Sequence, residues 1–288
     1  MRLLLTAALV ATIPMRQSAA QALMIAPNAI VIDARTNTGA VTLINTGDRA
    51  AEVSLSTLYG IPVSDSSGSM RLHTVDVIDD TIPSAAAWLR AFPERLVIAP
   101  GARRTVRLLA SPPAGLPDRE YWARLVVSSR AAWQTDSVTH DDASAVHVGL
   151  DLEVRSILGV FYRNGKVTTG VELSAARTVV DGDSLVTRVR MQRRGNAAFV
   201  GSLRAVLRDS DGVTRATALL PLGVYYTLEP RITIPRAGVP AGRYSIELEA
   251  VSSRPDVAPG LLLPATSPRL TSDVVLPASV ASTRASHP

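Results

Sequence analysis

From Leu23 onward, apolar and polar residues alternate in runs that are separated by turn-forming residues. The longest run covers residues 145–162, and its apolar members at alternate positions are Val146, Val148, Leu150, Leu152 and Val154. Successive side chains of a β-strand point to opposite faces, so a period of two predicts a strand with one apolar face. Because an average strand has only ~5 to 6 residues, we expect this one to extend beyond its own β-sandwich.

Shorter runs of the same kind predict strands along the rest of the chain. Before a break at Asn164-Gly165-Lys166 they cover residues 29–32, 40–44, 52–59, 95–98, 104–109 and 121–127. After the break they cover residues 168–173, 184–191, 201–208, 214–220, 231–234, 243–250 and 271–276. One short helix is predicted over residues 84–89, with Ser84 as its N-cap. The halves share this pattern without a repeat of sequence, which predicts an all-β chain of two β-sandwiches.

The length supports two domains, and the N-terminus adds a segment that is expected to be removed. A chain of 288 residues, 47% hydrophobic and 19% charged, can bury two cores. Met1-Arg2, an apolar run to Ile13 and the small-residue site Ala20-Gln21-Ala22 have the layout of a secretory signal peptide. No later apolar stretch is long enough to span a bilayer, so an exported protein without membrane insertion is expected. The predicted organisation is a signal peptide at 1–22, domains at 23–163 and 167–276, and a flexible tail at 277–288.

The chain offers few residues for catalysis or metal binding. It has no cysteine, which excludes thiolate chemistry, and its four histidines lack the spacing of a zinc site. Gly182-Asp183-Ser184-Leu185 spells the nucleophile block of GDSL esterases, yet no Asp-x-x-His follows it to supply a base. Asp209-Ser210-Asp211-Gly212 starts like a calcium loop, but Leu220 stands where an EF-hand has glutamate. Both strings are predicted to be turns. No enzyme, metal or cofactor is expected, and arginines without interleaved aromatic residues argue against nucleic-acid binding.

Three blocks in the first half resemble those of the PapD-like periplasmic pilus chaperones. FPERLVIAPGARRTVRL at residues 92–108 is similar to that family's P-x-R-x-x-L-x-P-G-x-x-x-x-V-R-L block. LPDREYW at residues 116–122 is similar to its L-P-x-D-R-E segment, shorter by one residue, and FYR at residues 161–163 matches its F-Y-R signature. The blocks occur in the family's order, and the resemblance covers about residues 23 to 165.

The resemblance implies a fold, a function and site residues. It implies two immunoglobulin-like β-sandwich domains in a boomerang arrangement, acting in the periplasm on pilin-like or surface-fibre subunits, with an outer-membrane usher as a further partner. Such a chaperone completes the subunit's open core with its own last first-domain strand, a process called donor-strand complementation. The subunit-binding positions then fall on Leu150, Leu152 and Val154, extended by Val148, and Glu120 and Arg163 match positions of an interdomain salt bridge.

Two positions depart from the family's pattern. The family holds the subunit's terminal carboxylate with an arginine and a lysine, and the matching residues here are Ala29 and Gly159. A buried carboxylate without a cationic partner is costly. Either Arg155 or Arg35 therefore takes over this role, or the protein does not bind its partner through a terminal carboxylate. The alternative function is a secreted structural or adhesin-like β-sandwich protein without chaperone activity.

Overall fold

The chain folds into β-sheets with almost no helix. The structure, a computed structural model, describes residues 23–79, 81–131 and 152–277. The strands of the first half are β1 (Leu23–Ala26), β2 (Ala29–Asp33), β3 (Thr38–Asn45), β4 (Ala51–Ser64), β5 (Met70–Val75), β6 (Leu89–Phe92), β7 (Arg95–Ile98), β8 (Arg103–Ala110), β9 (Arg119–Ala131) and β10 (Val154–Asn164). Those of the second half are β11 (Thr169–Asp181), β12 (Ser184–Gly195), β13 (Phe199–Asp209), β14 (Thr214–Val224), β15 (Thr227–Leu228), β16 (Arg231–Pro235), β17 (Gly242–Val251) and β18 (Arg269–Leu276). Helical structure in these residues consists of two 3₁₀ turns, Ala86–Trp88 and Pro259–Leu261.

Strands β1 to β10 form the first sandwich. One sheet has the order β1-β3-β8-β6, and the other has the order β2-β10-β9-β4-β5, with β7 also paired with β4. This is the immunoglobulin arrangement, in which a sheet of strands A, B, E and D faces a sheet built on C, F and G. Inward positions on both sheets are apolar, and Ile32, Leu43, Leu108 and Leu125 are fully buried between them.

Strands β11 to β18 form the second sandwich. One sheet has the order β11-β12-β15, with β16 also paired with β12, and the other has the order β14-β13-β17-β18. The core between them contains Leu185, Phe199, Leu203 and Ile246, all fully buried. The prediction of an all-β chain with two immunoglobulin-like sandwiches is therefore confirmed.

Each sandwich has the same tyrosine contact at the start of an interior strand. The Tyr121 hydroxyl donates to the carbonyl oxygen of Pro117 at 3.2 Å, and that of Tyr244 donates to Pro240 at 3.0 Å. A tyrosine corner of this kind, bonded to the backbone a few residues upstream, is a feature of immunoglobulin sandwiches. The two halves thus share one short motif, Pro-x-x-x-Tyr, at this corner.

Most predicted strands are present, and the missed ones have six residues or fewer. The sequence did not predict β1, β5, β6 or β15. Strand β5 is exposed along nearly its whole length, and only Met70 and Leu72 alternate with polar residues, a run too short to distinguish it from a loop. The helix predicted over residues 84–89 is a single turn, Ala86–Trp88, with Ala85 rather than Ser84 at the N-cap. Ser84 forms a β-bridge with Trp122 and Leu89 begins β6, so the helix is limited to the residues between them.

The long strand predicted over residues 145–162 is shorter where it is described. Strand β10 begins at Val154, and Leu152 and Glu153 precede it without strand structure. Val148 and Leu150 lie outside the described residues, as do the predicted signal peptide at 1–22 and residues 278–288 of the predicted tail.

The connection between the sandwiches runs from the end of β10 to the start of β11 and contains the predicted break. Gly165 has a φ of 60° there. A Cβ at this position would lie 1.8 Å from Oδ1 of Asp118, so only glycine fits. The Lys166 N–H donates to Oδ2 of the same carboxylate at 3.0 Å. The exact domain limits, residues 163 and 167, stay a prediction.

Neither 3₁₀ turn approaches the length and apolar character of a helix that crosses a bilayer, and the described part of the chain has no other helix.

Candidate binding cleft and exposed strand edge

Strand β10 has an unpaired edge along its first half. It pairs with β9 over its whole length, but its pairing with β2 extends only from Gly159 to Arg163. On that side the backbone of residues 154–158 has no neighbouring strand among the described residues. Unpaired N–H and C=O groups in an extended strand can accept another strand by backbone hydrogen bonding.

The side chains at this edge are aliphatic and exposed. Val154 is 39% exposed although it lies on the same side of β10 as Leu158 and Val160, which are buried in the core. The sandwich core ends before Val154, so that this residue extends the core's apolar face into solvent. Leu152 continues the row and is 61% exposed. Of the four predicted subunit-binding residues, these two are described and both are accessible.

A cleft lies beside this edge, between the two sandwiches. Its volume is about 690 Å³, within the range of binding pockets for small molecules or short segments. The first sandwich contributes the outward faces of β10, β9, β4 and β5, and the second contributes residues around Tyr225 and Arg254. Gly159 and Ala29 are directly paired on neighbouring strands, and both line the cleft.

Arg124 and the ring of Phe161 share the space that Gly159 leaves free. A Cβ on Gly159 would lie 3.2 Å from a terminal nitrogen of the Arg124 guanidinium. The Arg124 Nε–H donates to the carbonyl oxygen of Gly60 at 2.8 Å, and the guanidinium carbon lies 5.0 Å from the centre of the Tyr225 ring. The backbone contact and the ring hold the guanidinium in place beside the cleft. A cation is therefore present at the level of Ala29 and Gly159, although it comes from β9.

The two arginines suggested by the sequence are engaged elsewhere. Arg155 pairs with Glu153 at 2.7 Å, and Arg35 pairs with Asp33 at 2.9 Å. Both pairs are largely exposed, and neither arginine lines the cleft. The Arg35 guanidinium lowers the pKa of Asp33 to about 2 through hydrogen bonds. Each forms an ion pair with an acid two residues away, so the positions of these two arginines give no support to the first of the two alternatives.

Glu120 and Arg163 meet at the junction of the sandwiches. The Arg163 Nε–H donates to the Glu120 carboxylate at 3.0 Å, and the acid is almost completely buried. The same carboxylate accepts hydrogen bonds from Trp122 Nε1 at 2.8 Å and from the Ala198 backbone at 3.0 Å. Arg163 also donates to the carbonyl oxygen of Leu261 at 2.8 Å. Ala198 and Leu261 belong to the second half, so both charged groups bond across the junction.

Burial and hydrogen bonding act in opposite directions on the Glu120 carboxyl. Loss of water raises its pKa, while hydrogen bonding from Trp122 and the charge of Arg163 lower it, and the net direction is upward. The acid is thus held by three donors in a nearly dry site. Any change that removes these donors or the acid leaves buried polar groups without partners.

The two segments that resemble an esterase motif and a calcium loop, residues 182–185 and 209–212, lie at turns. Asp181 pairs with Ser184 across the β11–β12 hairpin, so the GDSL string is a hairpin turn as predicted. Asp209 Oδ1 accepts hydrogen bonds from the N–H groups of Asp211 and Val213, which closes the predicted turn between β13 and β14. Across the described ranges, no three acidic or histidine side chains are placed to hold a metal ion.

Sequence reasoning missed Arg124, although one signal pointed to it. On β9 the residues with even numbers face outward, towards the cleft and the second sandwich, and they include Glu120 and Trp122. Once Glu120 is assigned to the junction, a period of two places Arg124 on the same surface, four residues closer to the cleft. The assignment of Glu120 was thus sufficient to suggest this arginine.

Comparison with known proteins gives structures but no sequence family. No protein-family model matches the chain, and no curated protein matches it. The chain is similar to the chaperone YadV, with 13% identity over 88% of this chain and 99% of that one, at a TM-score of 0.44. For the chaperone–tip subunit complex CsuC–CsuE of Acinetobacter baumannii, the identity is 14% over 87% and 97%, at a TM-score of 0.43. The chain is also similar to the CupB2 chaperone of Pseudomonas aeruginosa, with 15% identity over 88% of this chain and 100% of that one, at a TM-score of 0.40.

Proposed function

We propose that this protein is a periplasmic chaperone that binds pilus or other surface-fibre subunits by donor-strand complementation and delivers them for assembly. The observation that carries the proposal is the first half of β10, which pairs on one side only among the described residues and has exposed Leu152 and Val154 on its apolar side. The signal-peptide pattern at residues 1–22 supports export to the periplasm. An outer-membrane usher is the second partner in this proposal.

Strand addition explains why an aliphatic edge is kept exposed. An exposed, apolar strand edge is an aggregation hazard that proteins normally cover or charge. A subunit that lacks one strand offers the complementary groove, in which backbone hydrogen bonds give affinity and alternate side chains fill pockets. Each fully buried aliphatic side chain contributes about 1.5 to 3 kcal/mol. The edge of β10 offers both the hydrogen-bonding groups and the aliphatic row that such a groove needs.

Arg124 is proposed as the cationic anchor of the cleft. Its guanidinium stands beside Gly159, at the level where a bound segment alongside β10 reaches the junction. A guanidinium pairs with a carboxylate through two parallel hydrogen bonds. We therefore propose that Arg124 binds the terminal carboxylate of the subunit, in the role that the sequence left without a residue. This weakens the alternative of a structural protein without chaperone activity, whose main support was the lack of an anchor.

Replacing Arg124 with alanine is expected to weaken subunit capture about tenfold or more without a large change in the melting temperature. A charged hydrogen bond contributes about 1.5 to 3 kcal/mol, and each ~1.4 kcal/mol is a factor of ten in Kd. The measurement is the affinity of the purified variant for a subunit that co-purifies with the wild type. Arg194→Ala is the matched control, since its ion pair with Glu172 is exposed and lies on the second sandwich, outside the cleft. Equal affinities of the wild type and R124A for the subunit would show that Arg124 does not bind its terminal carboxylate.

The proposed function itself is tested by purification from the periplasm of the native host. A chaperone of this kind is expected to bring down small β-rich subunits in a ratio of one to one. Hydrogen exchange on that complex should show protection of those backbone amides of residues 154–158 that point away from β9, a side on which no strand pairs with them among the described residues. The proposal is contradicted if the protein purifies without a subunit, or if these amides exchange as fast in the complex as in the free protein.

A further inference from the structure

The hairpin of β4 and β5 reaches past its own sheet to the second sandwich. β4 pairs with β9 only as far as Leu58, while its remainder, Tyr59 to Ser64, pairs with β5 alone. At the tip, Ser64 Oγ accepts a hydrogen bond from the Glu229 N–H at 2.7 Å. Gly68 accepts one at its carbonyl oxygen from the Arg231 N–H at 2.9 Å. Both donors are backbone groups of the second sandwich.

The tip fits closely against the second sandwich at Gly68. This glycine has a φ of 81°, and a Cβ there would lie 3.0 Å from the backbone nitrogen of Arg231. The same atom would lie 3.2 Å from the carbonyl oxygen of Glu229. These separations are shorter than normal van der Waals contacts, so a larger residue requires the tip or its neighbours to shift. The contact thus depends on a residue without a side chain.

The hairpin also forms one wall of the cleft. Pro62, Met70 and Leu72 line it from this side, and Met70 and Leu72 are partly exposed. In the sheet order β2-β10-β9-β4-β5, strand β5 lies at the end away from the unpaired edge of β10. The hairpin therefore forms the wall of the cleft opposite that edge. A segment that enters the cleft along the edge of β10 meets the hairpin at the other side.

We propose that the β4–β5 hairpin is a strap that fastens the two sandwiches together and sets the width of the binding cleft. The strap is a second fastening, separate from Glu120 and Arg163, and it closes the cleft on the side away from β10. A segment that lies alongside β10 in the cleft then meets the strap on its other side. This inference rests on the proposed function for the nature of the segment, but the fastening itself does not depend on it.

A matched pair of turns allows the strap to be tested. Asp65 to Ser69 and Asp209 to Val213 form turns with the same backbone hydrogen bonds and the same aspartate contacts. Gly68 and Gly212 hold equivalent positions with φ values of 81° and 77°. Only the first faces the other sandwich, whereas a Cβ on Gly212 would meet nothing within 4 Å. Gly68→Val and Gly212→Val therefore impose the same backbone strain, and only the first breaks the interdomain contact.

The first readout is the distance between the sandwiches. Because the chain has no cysteine, Thr105→Cys and Thr271→Cys place one spin label on an exposed strand position of each sandwich. In the G68V background the distance distribution is expected to broaden, and in the G212V background it should match the parent. If Gly68→Val does not fold, Ser64→Ala removes one of the two fastening bonds and leaves the turn intact. An unchanged distribution in both strap variants overturns the fastening.

The second readout is capture of the subunit that co-purifies with the wild type. If release of the strap leaves the closed form populated about one-tenth of the time, the apparent Kd rises about tenfold. G212V should bind as the parent does. If the distance distribution broadens while the affinity is unchanged, the strap does fasten the two sandwiches but does not set the width of the cleft. If the wild type captures no subunit, the proposed function fails, while the distance measurement still decides whether the strap exists.

Discussion

Replacing both Leu152 and Val154 with aspartate is expected to abolish subunit capture and to leave the protein folded. Both side chains are exposed, at 61% and 39%, so the free protein loses little burial. In the complex, the loss of two buried aliphatic side chains costs about 3 to 6 kcal/mol, which is about two to four orders of magnitude in Kd. Two unpaired carboxylates in an apolar groove add to this cost. The measurement is co-purification of the subunit, together with a thermal melt of the variant.

Two controls separate binding from folding. Val275→Asp introduces a charge at an aliphatic residue that is 68% exposed on the edge strand β18 of the second sandwich, and it should change neither capture nor melting. Leu158→Asp introduces one on the same side of β10 where the side chain is 5% exposed, and it should destabilise the first sandwich. A folded double variant that still holds its subunit would show that β10 is not the donor strand.

The sequence predicted the two sandwiches because burial repeats with the period of a strand. The sheets bury one face of each strand, so Val53 and Leu55 on β4, or Ile232 and Ile234 on β16, alternate with polar neighbours and reveal their strands. Strand β5 lies at a sheet edge with little burial, and its alternation is limited to Met70 and Leu72. Its hairpin partner, β4, carries the alternating pattern as far as Ser56 and then continues into the strap without it.

The candidate site was predictable where it lies on one strand and not where it depends on contacts between strands. The aliphatic row and its exposed members follow from the period of β10. Arg124 acts at Gly159 because neighbouring strands place their side chains side by side, and this requires the register between β9 and β10. The strap requires more, namely the position of one sandwich against the other. Gly68 is one of several glycines in turns, and its role becomes visible only with Arg231 beside it.

Replacing Glu120 with alanine is expected to give the largest loss of stability of any single change at the junction. The variant leaves the Arg163 guanidinium, the indole N–H of Trp122 and the Ala198 N–H without their shared acceptor in a buried site. Removal of one partner from a buried ion pair typically costs about 3 to 5 kcal/mol, and a loss near the lower end is expected here because the Arg163 side chain is 19% exposed and keeps its bond to Leu261. The measurement is the midpoint of chemical unfolding, followed by Trp fluorescence.

Of two further variants, one is a control at an exposed ion pair, and the other separates the charge of Glu120 from its hydrogen bonds. Glu172→Ala removes the acid of an exposed pair with Arg194, and a pair of this kind contributes at most ~1 kcal/mol. Glu120→Gln retains an acceptor oxygen for Trp122 and Ala198 but removes the charge that faces Arg163, so it should fall between the wild type and E120A. If E120A loses no more stability than E172A, the junction is held by other contacts. The aromatic packing of Trp122 against Tyr225, with ring centres 4.8 Å apart, is then the next structure to test, because it crosses the same junction without any charge.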